Sequence, residues 1–461
     1  MSGAPHYVTL PTLATPPTAT VPLMPLDTRV PVLGQATLSS PLTQPEQAFI
    51  DDDDRVLWSA NSKDIAIFEQ GASSDQGATP LPSFECAGPR KLLYFDPKTI
   101  ACGIVTCGGL CPGLNDVIRA ITLTLHYDYQ VPKILGFQYG YAGIPLSSSF
   151  SPLVLTPELV SNIHSRGGTV LGTSRGPQDV GAMVDALQHH GINVLFTIGG
   201  DGTLRGAAAL ADEIKRRGLP ISVIGLPKTI DNDLMWVEKS FGFLSAVEEA
   251  RRAIQAANNE AQSAQGGIGL VKLMGRYSGF IAAHATVANN DVNFCLVPEV
   301  PFALAGRNGL LAAVERRLQA RGHAVIVAAE GAGQDLLPGT SETDASGNTK
   351  LQDIGTYLKQ QLQSHFKARK QPVTVKYIDP SYLVRGLPAN AADAEMCLQL
   401  AQNAVHAGLS GRTAMLVGYW NQHFTHLPLA LAVGGRKRLS EHDRLWQAVL
   451  TSTGQPHRLH D

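Results

Sequence analysis

No part of this chain approaches the run of about twenty apolar residues that a membrane-crossing helix needs, so a membrane span is not expected. Cysteine is scarce: Cys86, Cys102, Cys107, Cys111, Cys295 and Cys397 include no C-x-x-C pair and no histidine at zinc spacing. That pattern argues against a disulfide framework or a structural zinc site. Together with the lack of a secretory leader, it predicts a reducing, intracellular compartment, the cytoplasm. Cys107 and Cys111 lie four apart at a strand–loop–helix turn, which reads as packing and not as a metal pair. Charge is thin as well: 16% of residues are charged and the formal net charge is −2. A near-neutral balance offers neither nucleic acid nor an anionic membrane surface a basic face.

What the chain has is length and apolar content. Its 461 residues, 44% of them hydrophobic, exceed what one core supports, about 250–300 residues, so two lobes are expected. The organising stretch runs from Val194 to Asp233. Val194–Ile198 is an apolar run that ends in Gly199, Gly200, Asp201, Gly202 and Thr203; Ile221–Leu226 ends in Pro227, Lys228, Thr229, Ile230, Asp231, Asn232 and Asp233. Short apolar runs bounded by Gly or Pro are buried strands of a parallel sheet. Between them Arg205–Arg217 reads as a crossover helix packed through Ala207, Ala208, Leu210, Ala211 and Ile214. Ligands of open α/β sheets bind at the carboxyl ends of strands, which places the site on these two loops.

The rest of the chain repeats the pattern. Residues 1–46 are Pro/Thr/Ala/Leu-rich and nearly uncharged. They read as an extended or partly disordered arm, with a plastid-type transit peptide as the alternative. Asp51–Asp54 reads as a solvated turn, since four successive acids do not converge on one cation. Ala101–Thr106 is a strand running into Cys107-Gly108-Gly109-Leu110-Cys111-Pro112-Gly113 and a helix opening near Leu114, an arrangement that can cradle an anion. Lys133–Phe137 is a strand, and RGGTVLGTSRGP carries Arg175 in a glycine loop, where a guanidinium suits phosphate. Phe241–Ala261 is a helix. Gly266–Met274, Phe294–Pro298 and Ala324–Ala329 are strands, the first delivering Met274, Gly275 and Arg276, the last Glu330. Gly333–Asp353 reads as a surface loop, and Val373–Ile378 as a less fully covered strand leading to Asp379, Tyr382 and Arg385. Ala389–Leu409 is a helix and Thr413–Tyr419 a late strand. The fold class is α/β: two doubly wound, Rossmann-like lobes with mostly parallel sheets, plus an N-terminal extension.

Aspartates at strand ends beside glycine loops suit phosphoryl transfer, which needs a cation, close backbone approach and a base aimed at a hydroxyl. Asp201 stands where an acidic Mg²⁺ ligand is wanted, and one carboxylate suffices because Mg²⁺ keeps several waters. Asp231 and Asp233 are two apart: one can deprotonate a hydroxyl, or both can simply cap the helix that follows. GGDGT together with PKTIDND favours chemistry over capping.

The ordered series TCGGLCPGLNDVIR, GTSRGP, IGGDGT, PKTIDND, GLVKLMGR, PEVPF, AAEGAG and KYIDPSYLVR closely resembles the 6-phosphofructokinase family. It is most similar to the branch of plant and kinetoplastid ATP-dependent enzymes and their pyrophosphate-dependent relatives, over roughly residues 90–440. The resemblance implies Mg²⁺, with ATP and fructose 6-phosphate as small-molecule substrates and a homo-oligomer, a homotetramer. It implies a nucleotide lobe over 96–243 plus about 384–430, a sugar-phosphate lobe over 244–383 plus about 431–461, and an extension over 1–95. Gly109, Arg175, Gly176, Gly200, Asp201, Gly202, Thr203 and Lys228 match nucleotide-side positions, Asp201 the Mg²⁺ residue. Asp231 matches the base for the sugar 1-hydroxyl, flanked by Thr229, Ile230 and Asp233. Met274, Gly275 and Arg276 match the sugar-phosphate loop, Arg276 also placed for charge on the transferring phosphoryl; Glu330 matches a holder of sugar hydroxyls. Lys376, Tyr382 and Arg385 match the grip on the 6-phosphate.

Departures refine the implication. Gly267 stands where small bacterial enzymes carry an Arg, so Lys272 or another cation is expected to compensate; Leu123 replaces an effector-site Arg, which argues against bacterial-style control. Gly202 leaves room for the α-phosphate of ATP where pyrophosphate users carry Asp, whereas Lys228 is shared with pyrophosphate users; the pair points to ATP. Pyrophosphate as donor, sedoheptulose 7-phosphate as acceptor, and a catalytically silent subunit are the alternatives, the last disfavoured by the presence of all three aspartates.

Overall fold

A computed structural model describes residues 27–66, 81–339, 342–343 and 349–461. The expectations for residues 1–26, and for most of the loop at 340–348, lie outside the described residues. A nine-stranded sheet, with apolar runs at its centre, is built from β1 (Arg55–Leu57), β2 (Ser83–Cys86), β3 (Ala101–Thr106), β4 (Lys133–Phe137), β5 (Leu153–Val154), β6 (Ile192–Gly199), β7 (Ser222–Pro227), β12 (Met415–Trp420) and β13 (His423–Pro428). The spatial order is β1-β2-β13-β12-β7-β6-β3-β4-β5. The five strands from β12 to β4 run parallel, and the antiparallel pairings lie toward the edges.

Register puts Ile104, Phe196 and Ile224 side by side, and Val105, Thr197 and Gly225 in the next row. Because successive side chains point to opposite faces, helices must cover both. Helices α1 (Leu114–Leu123), α4 (Phe243–Gln262) and α8 (Ala391–Leu409) pack on the Ile104 face; α2 (Val180–His189) and α3 (Asp201–Arg216) pack on the other. Phe196 is fully buried in its row, and Phe196→Ala would cost about 3–5 kcal/mol.

A second sheet is parallel throughout, in the order β9 (Phe294–Leu296), β10 (His323–Ala329), β8 (Gly267–Leu273), β11 (Thr374–Ile378). Ile268, Leu270 and Ile326 face α6 (Leu310–Arg321) and α7 (Ile354–Ala368). Val271, Leu273, Val325 and Val327 face α4 and α5 (Phe280–Asn289), inside the same apolar cluster that holds Ile104 and Phe196. The two sheets thus meet through a shared core, and the loops at their strand ends face each other across it.

Several local features depart from the sequence reading. The crossover helix begins at Asp201, four residues earlier than expected: Gly200 is extended (φ −88, ψ −163) and its carbonyl accepts from the Thr203 amide at 2.9 Å. Asp201 therefore sits in a helix first turn, where the partly positive end favours a carboxylate. Strand β13 was not foreseen; its signal is the two-residue turn Asn421–Gln422, both at positive φ, which folds it back on β12. Within the segment read as an N-terminal extension, Arg55–Leu57 and Ser83–Cys86 are paired into the larger sheet. The acidic turn is exposed as expected, yet Asp52 also accepts from Arg412 (2.6 Å) and Arg90 (3.2 Å), both buried arginines that also pair with Glu85.

Candidate active site

The loops after β3, β6, β7, β8 and β10 and the turn after β11 open into one cavity of about 1270 Å³. One wall is mostly backbone. After β3, Gly108 (φ +85) turns the chain, a conformation that favours glycine. A Cβ on Gly109 would stand 3.1 Å from an Arg175 nitrogen and 3.5 Å from one of Arg385, so two guanidinium groups converge over this loop. Lys228 adds a third cation: its Nζ donates to the Gly109 carbonyl at 2.7 Å, and burial pulls its pKa down. Gly199 is pressed against the Thr203 side chain, whereas a Cβ on Gly202 would meet no atom within 4 Å. Gly176 (φ +93), Gly200, Thr203 and Pro177 complete this wall.

Asp201 lies at its end. Arg205 Nε donates to one carboxylate oxygen at 3.1 Å and Arg436 Nη2 to the other at 3.1 Å.

The turn Thr229–Asp233 forms the floor. Ile230 is buried, anchoring the turn through its side chain and lining the cavity only as part of the loop. Asn232 takes φ +51, its Oδ1 accepts from the Ser240 amide (3.0 Å) and its Nδ2 donates to the Glu238 carbonyl (3.1 Å). That left-handed residue separates the two aspartates. Thr229 Oγ1 bridges them, accepting from the Asp231 amide (3.1 Å) and donating to Asp233 Oδ1 (3.2 Å). Asp231 Oδ1 is buried with no hydrogen-bond partner among the described residues. Burial first, then the charges of Asp233 and Glu330, push the Asp231 pKa well above the ordinary carboxylate range, while Lys228 and Arg276 pull against them. Asp233 is raised by burial too, with Arg436 and Thr229 opposing.

The opposite wall is built of charged side chains. Gly275 sits at φ +128, where a Cβ would come 2.5 Å from the Ser278 carbonyl, so the turn that presents Met274 and Arg276 requires glycine. Arg276 Nη1 donates to the Thr349 carbonyl (2.8 Å). Glu330 is anchored by its amide on the Leu273 carbonyl (2.8 Å), and burial raises its pKa against the pull of Arg276 and Lys272. Lys272 Nζ pairs with Asp379 (2.7 Å) and Asp353 (3.4 Å). Tyr382 is 79% exposed, with the Arg385 guanidinium 5.0 Å from its ring centre.

All the expected site residues except Lys376 line this cavity or the turns that frame it. Lys376 stands mid-strand in β11, below the strand's carboxyl end, and its Nζ pairs with Glu260 on α4 at 3.0 Å. Its expected place beside Tyr382 and Arg385 is therefore not met within this chain. Lining residues outside the sequence expectations include Tyr277 and Arg436. Arg436 follows no strand directly; it stands after Gly434-Gly435 in the basic run Arg436-Lys437-Arg438. Among the described residues no three His, Cys, Asp or Glu side chains are placed to hold a metal by themselves. The donor set suits a cation held by one carboxylate plus ligand oxygens: Asp201 accepts one hydrogen bond from each arginine and keeps further lone pairs. No helix among the described residues is long and apolar enough to cross a membrane.

Comparison with known proteins gives concordant matches. The family model described as phosphofructokinase matches residues 101–408. An ATP-dependent 6-phosphofructokinase of Amycolatopsis methanolica is 47% identical over 443 residues, covering 93% of this chain and 95% of that protein. The protein of that name from Trypanosoma brucei brucei is 46% identical, covering 87% of this chain and 81% of the relative. Among solved structures, a pyrophosphate-dependent phosphofructokinase from Marinobacter aquaeolei superposes with TM-score 0.62 at 20% identity, covering 77% of this chain and 91% of the other, which is a likeness of fold.

Proposed function

The chain belongs to the phosphofructokinase family, and from that premise we propose that it transfers the γ-phosphoryl group of ATP to the 1-hydroxyl of fructose 6-phosphate. The products are fructose 1,6-bisphosphate and ADP. The observation that carries this reading is Asp231 Oδ1, buried and unpartnered on the floor of a cavity whose walls bring Arg175, Lys228, Arg276 and Arg385 to the same space. An unpaired buried acceptor is costly unless a ligand proton completes it, and the surrounding cations suit phosphate oxygens.

In this reading Asp231 accepts the proton from the sugar 1-hydroxyl. The hydroxyl oxygen bonds the γ-phosphorus, the bond from that phosphorus to the β–γ bridging oxygen breaks, and ADP leaves with the electron pair. Thr229 sets the Asp231 backbone and holds Asp233 at a fixed angle through its hydroxyl. Gly109, Gly176, Gly200, Gly202 and Thr203 let the polyphosphate approach backbone amides. Asp201 is the residue that would hold Mg²⁺, which when bound neutralises phosphate charge. Glu330 and the Met274–Arg276 loop bind the sugar, and Tyr382 and Arg385 its 6-phosphate, with Lys272 on the same wall. The room beside Gly202 supports ATP over pyrophosphate as donor. The chain is further assigned as a cytoplasmic homotetramer, although two of its Arabidopsis thaliana relatives are named chloroplastic.

A donor-by-acceptor matrix on purified protein tests the assignment, pairing ATP and pyrophosphate with fructose 6-phosphate and sedoheptulose 7-phosphate at matched Mg²⁺. Turnover confined to pyrophosphate would replace the donor. Preference for the seven-carbon sugar would replace the acceptor.

A further inference from the structure

One cation of the cavity, Arg436, comes from a segment beyond the last strand of either sheet. The segment Gly434–Leu439 crosses between the walls and is tied down on both sides of Arg436. Arg436 bridges to Leu234, the Lys437 amide donates to the Asp233 carbonyl (2.9 Å), and the Leu439 amide donates to Glu299 Oε1 (2.9 Å). Lys437 Nζ is itself spent on the Val237 and Glu238 carbonyls, at 2.7 and 3.1 Å. Only the Arg436 side chain reaches the cavity from this strap. Its guanidinium lies 4.2 Å from the ring centre of Tyr277, next to Arg276 in the sugar-side loop, while Nη2 donates to Asp201 on the nucleotide side.

The partner it has chosen is telling. Asp201 already has Arg205, one helical turn away, on its other oxygen. Arg436 is the more enclosed of the two arginines, 28% exposed against 55%. It neutralises Asp201 from inside the cavity, on the side from which a metal-bound polyphosphate would come. A divalent cation on that carboxylate repels a guanidinium a few ångströms away, so the two compete for the same oxygen.

We propose that Arg436 is a stand-in cation that the metal–nucleotide complex exchanges: it orients Asp201 before that complex binds, is released when the metal takes that carboxylate, and then donates to the phosphate oxygens. The strap fixes its backbone and the Tyr277 face fixes its swing, so release requires only side-chain rotation. The inference rests on Asp201 being the metal residue.

The test is calorimetric binding of the β,γ-methylene analogue of ATP to the full chain, with excess Mg²⁺ and with EDTA, for wild type, Arg436→Ala, Arg436→Lys and Asp201→Asn. Exchange predicts that Arg436→Ala weakens the Mg²⁺ complex about ten- to a hundredfold. It predicts a change of less than about twofold for the metal-free nucleotide, because without metal the guanidinium stays on Asp201. Arg436→Lys, keeping the charge without the fork, should recover part of the loss and serves if the alanine variant does not fold. Equal losses with and without metal would make Arg436 a plain phosphate ligand, and no loss in either would make it a structural contact of Tyr277; either result overturns exchange. If Asp201→Asn leaves the Mg²⁺ enhancement intact, the metal assignment falls and exchange with it. If Asp201→Asn removes the enhancement while Arg436→Ala does not, exchange alone falls.

Discussion

Asp201 and Asp231 face the same cavity with opposite surroundings. Asp201 is held between two guanidinium groups at a helix N-terminus, each of its oxygens accepting one charge-assisted hydrogen bond. Asp231 has a buried oxygen with no partner and two further acids near it, a setting that favours the proton. The two environments suit different roles: a carboxylate among cationic donors suits a metal ion, and a buried carboxyl with a raised pKa suits a base. The contrast extends to the walls around them. Glycine backbone overlaid by the cations of Arg175, Arg385 and Lys228 lines the nucleotide side, while ion pairs such as Lys272–Asp379 furnish the sugar side.

The largest expected effect breaks the Asp231 half of this contrast. Asp231→Asn should lower kcat by roughly 10²–10⁴-fold with little change in sugar affinity, as for a lost general base. It should also raise the melting temperature, and the sign follows from linkage. A carboxyl whose pKa is raised by folding binds its proton more tightly in the native state, so its ionisation costs stability above the unfolded pKa, increasingly up to the folded one. The gain on neutralisation is therefore larger at pH 9 than at pH 5. Equal melting temperatures at both pH values, alongside near-wild-type turnover, would end the base assignment.

Next in size is Gly202→Asp, which adds a second negative charge beside the phosphates, next to Asp201. No atom lies within 4 Å of the added Cβ, so the fold and the melting temperature should hold. Affinity for ATP should fall about a hundredfold, the order expected for like charges brought together. A steady-state Michaelis constant for ATP close to that of the parent would refute the donor argument.

Legibility followed the same divide. Glycine spacing and apolar runs are local in sequence, so β3, β6, β7, β8, the GGDGT loop and the Thr229–Asp233 turn could be placed from residues alone. The start of α3 was misjudged because Gly200–Thr203 read as loop, whereas Gly200 acts as the cap and Asp201 opens the helix. Side-chain pairing across the chain left no such trace. Lys376 is spent on Glu260, Lys272 on Asp379, and Arg436 reaches Asp201 from 235 residues away, contacts that no spacing rule encodes. Nor did composition flag Ser83–Cys86 as a strand, since its partner β13 carries histidines and a proline in place of an apolar run.

A smaller effect sharpens the coupling between the acids. Glu330 contributes one of the negative charges that raise Asp231, so Glu330→Gln should shift the acid limb of the kcat/KM profile to lower pH. Because Glu330 also lines the sugar wall, absolute activity falls; the readout is the ratio of activity at pH 6 to that at pH 8, expected to rise about two- to threefold. A falling ratio would mean that Glu330 does not govern the base.

The smallest expected effect separates the two arginines on Asp201. Arg205 is an i,i+4 partner on the helix surface, 55% exposed, and such pairs contribute about 0.3–0.5 kcal/mol and are screened by salt. Arg205→Ala should therefore leave stability within about 0.5 kcal/mol and Mg²⁺-nucleotide affinity within about twofold. Asp201 then keeps its orientation through Arg436 and its place in the first turn of α3, both independent of Arg205. A tenfold loss in the Arg205 variant would shift the orienting role to the helix surface. It would also mean that enclosure, and not number of hydrogen bonds, is the wrong measure of which cation matters to this carboxylate.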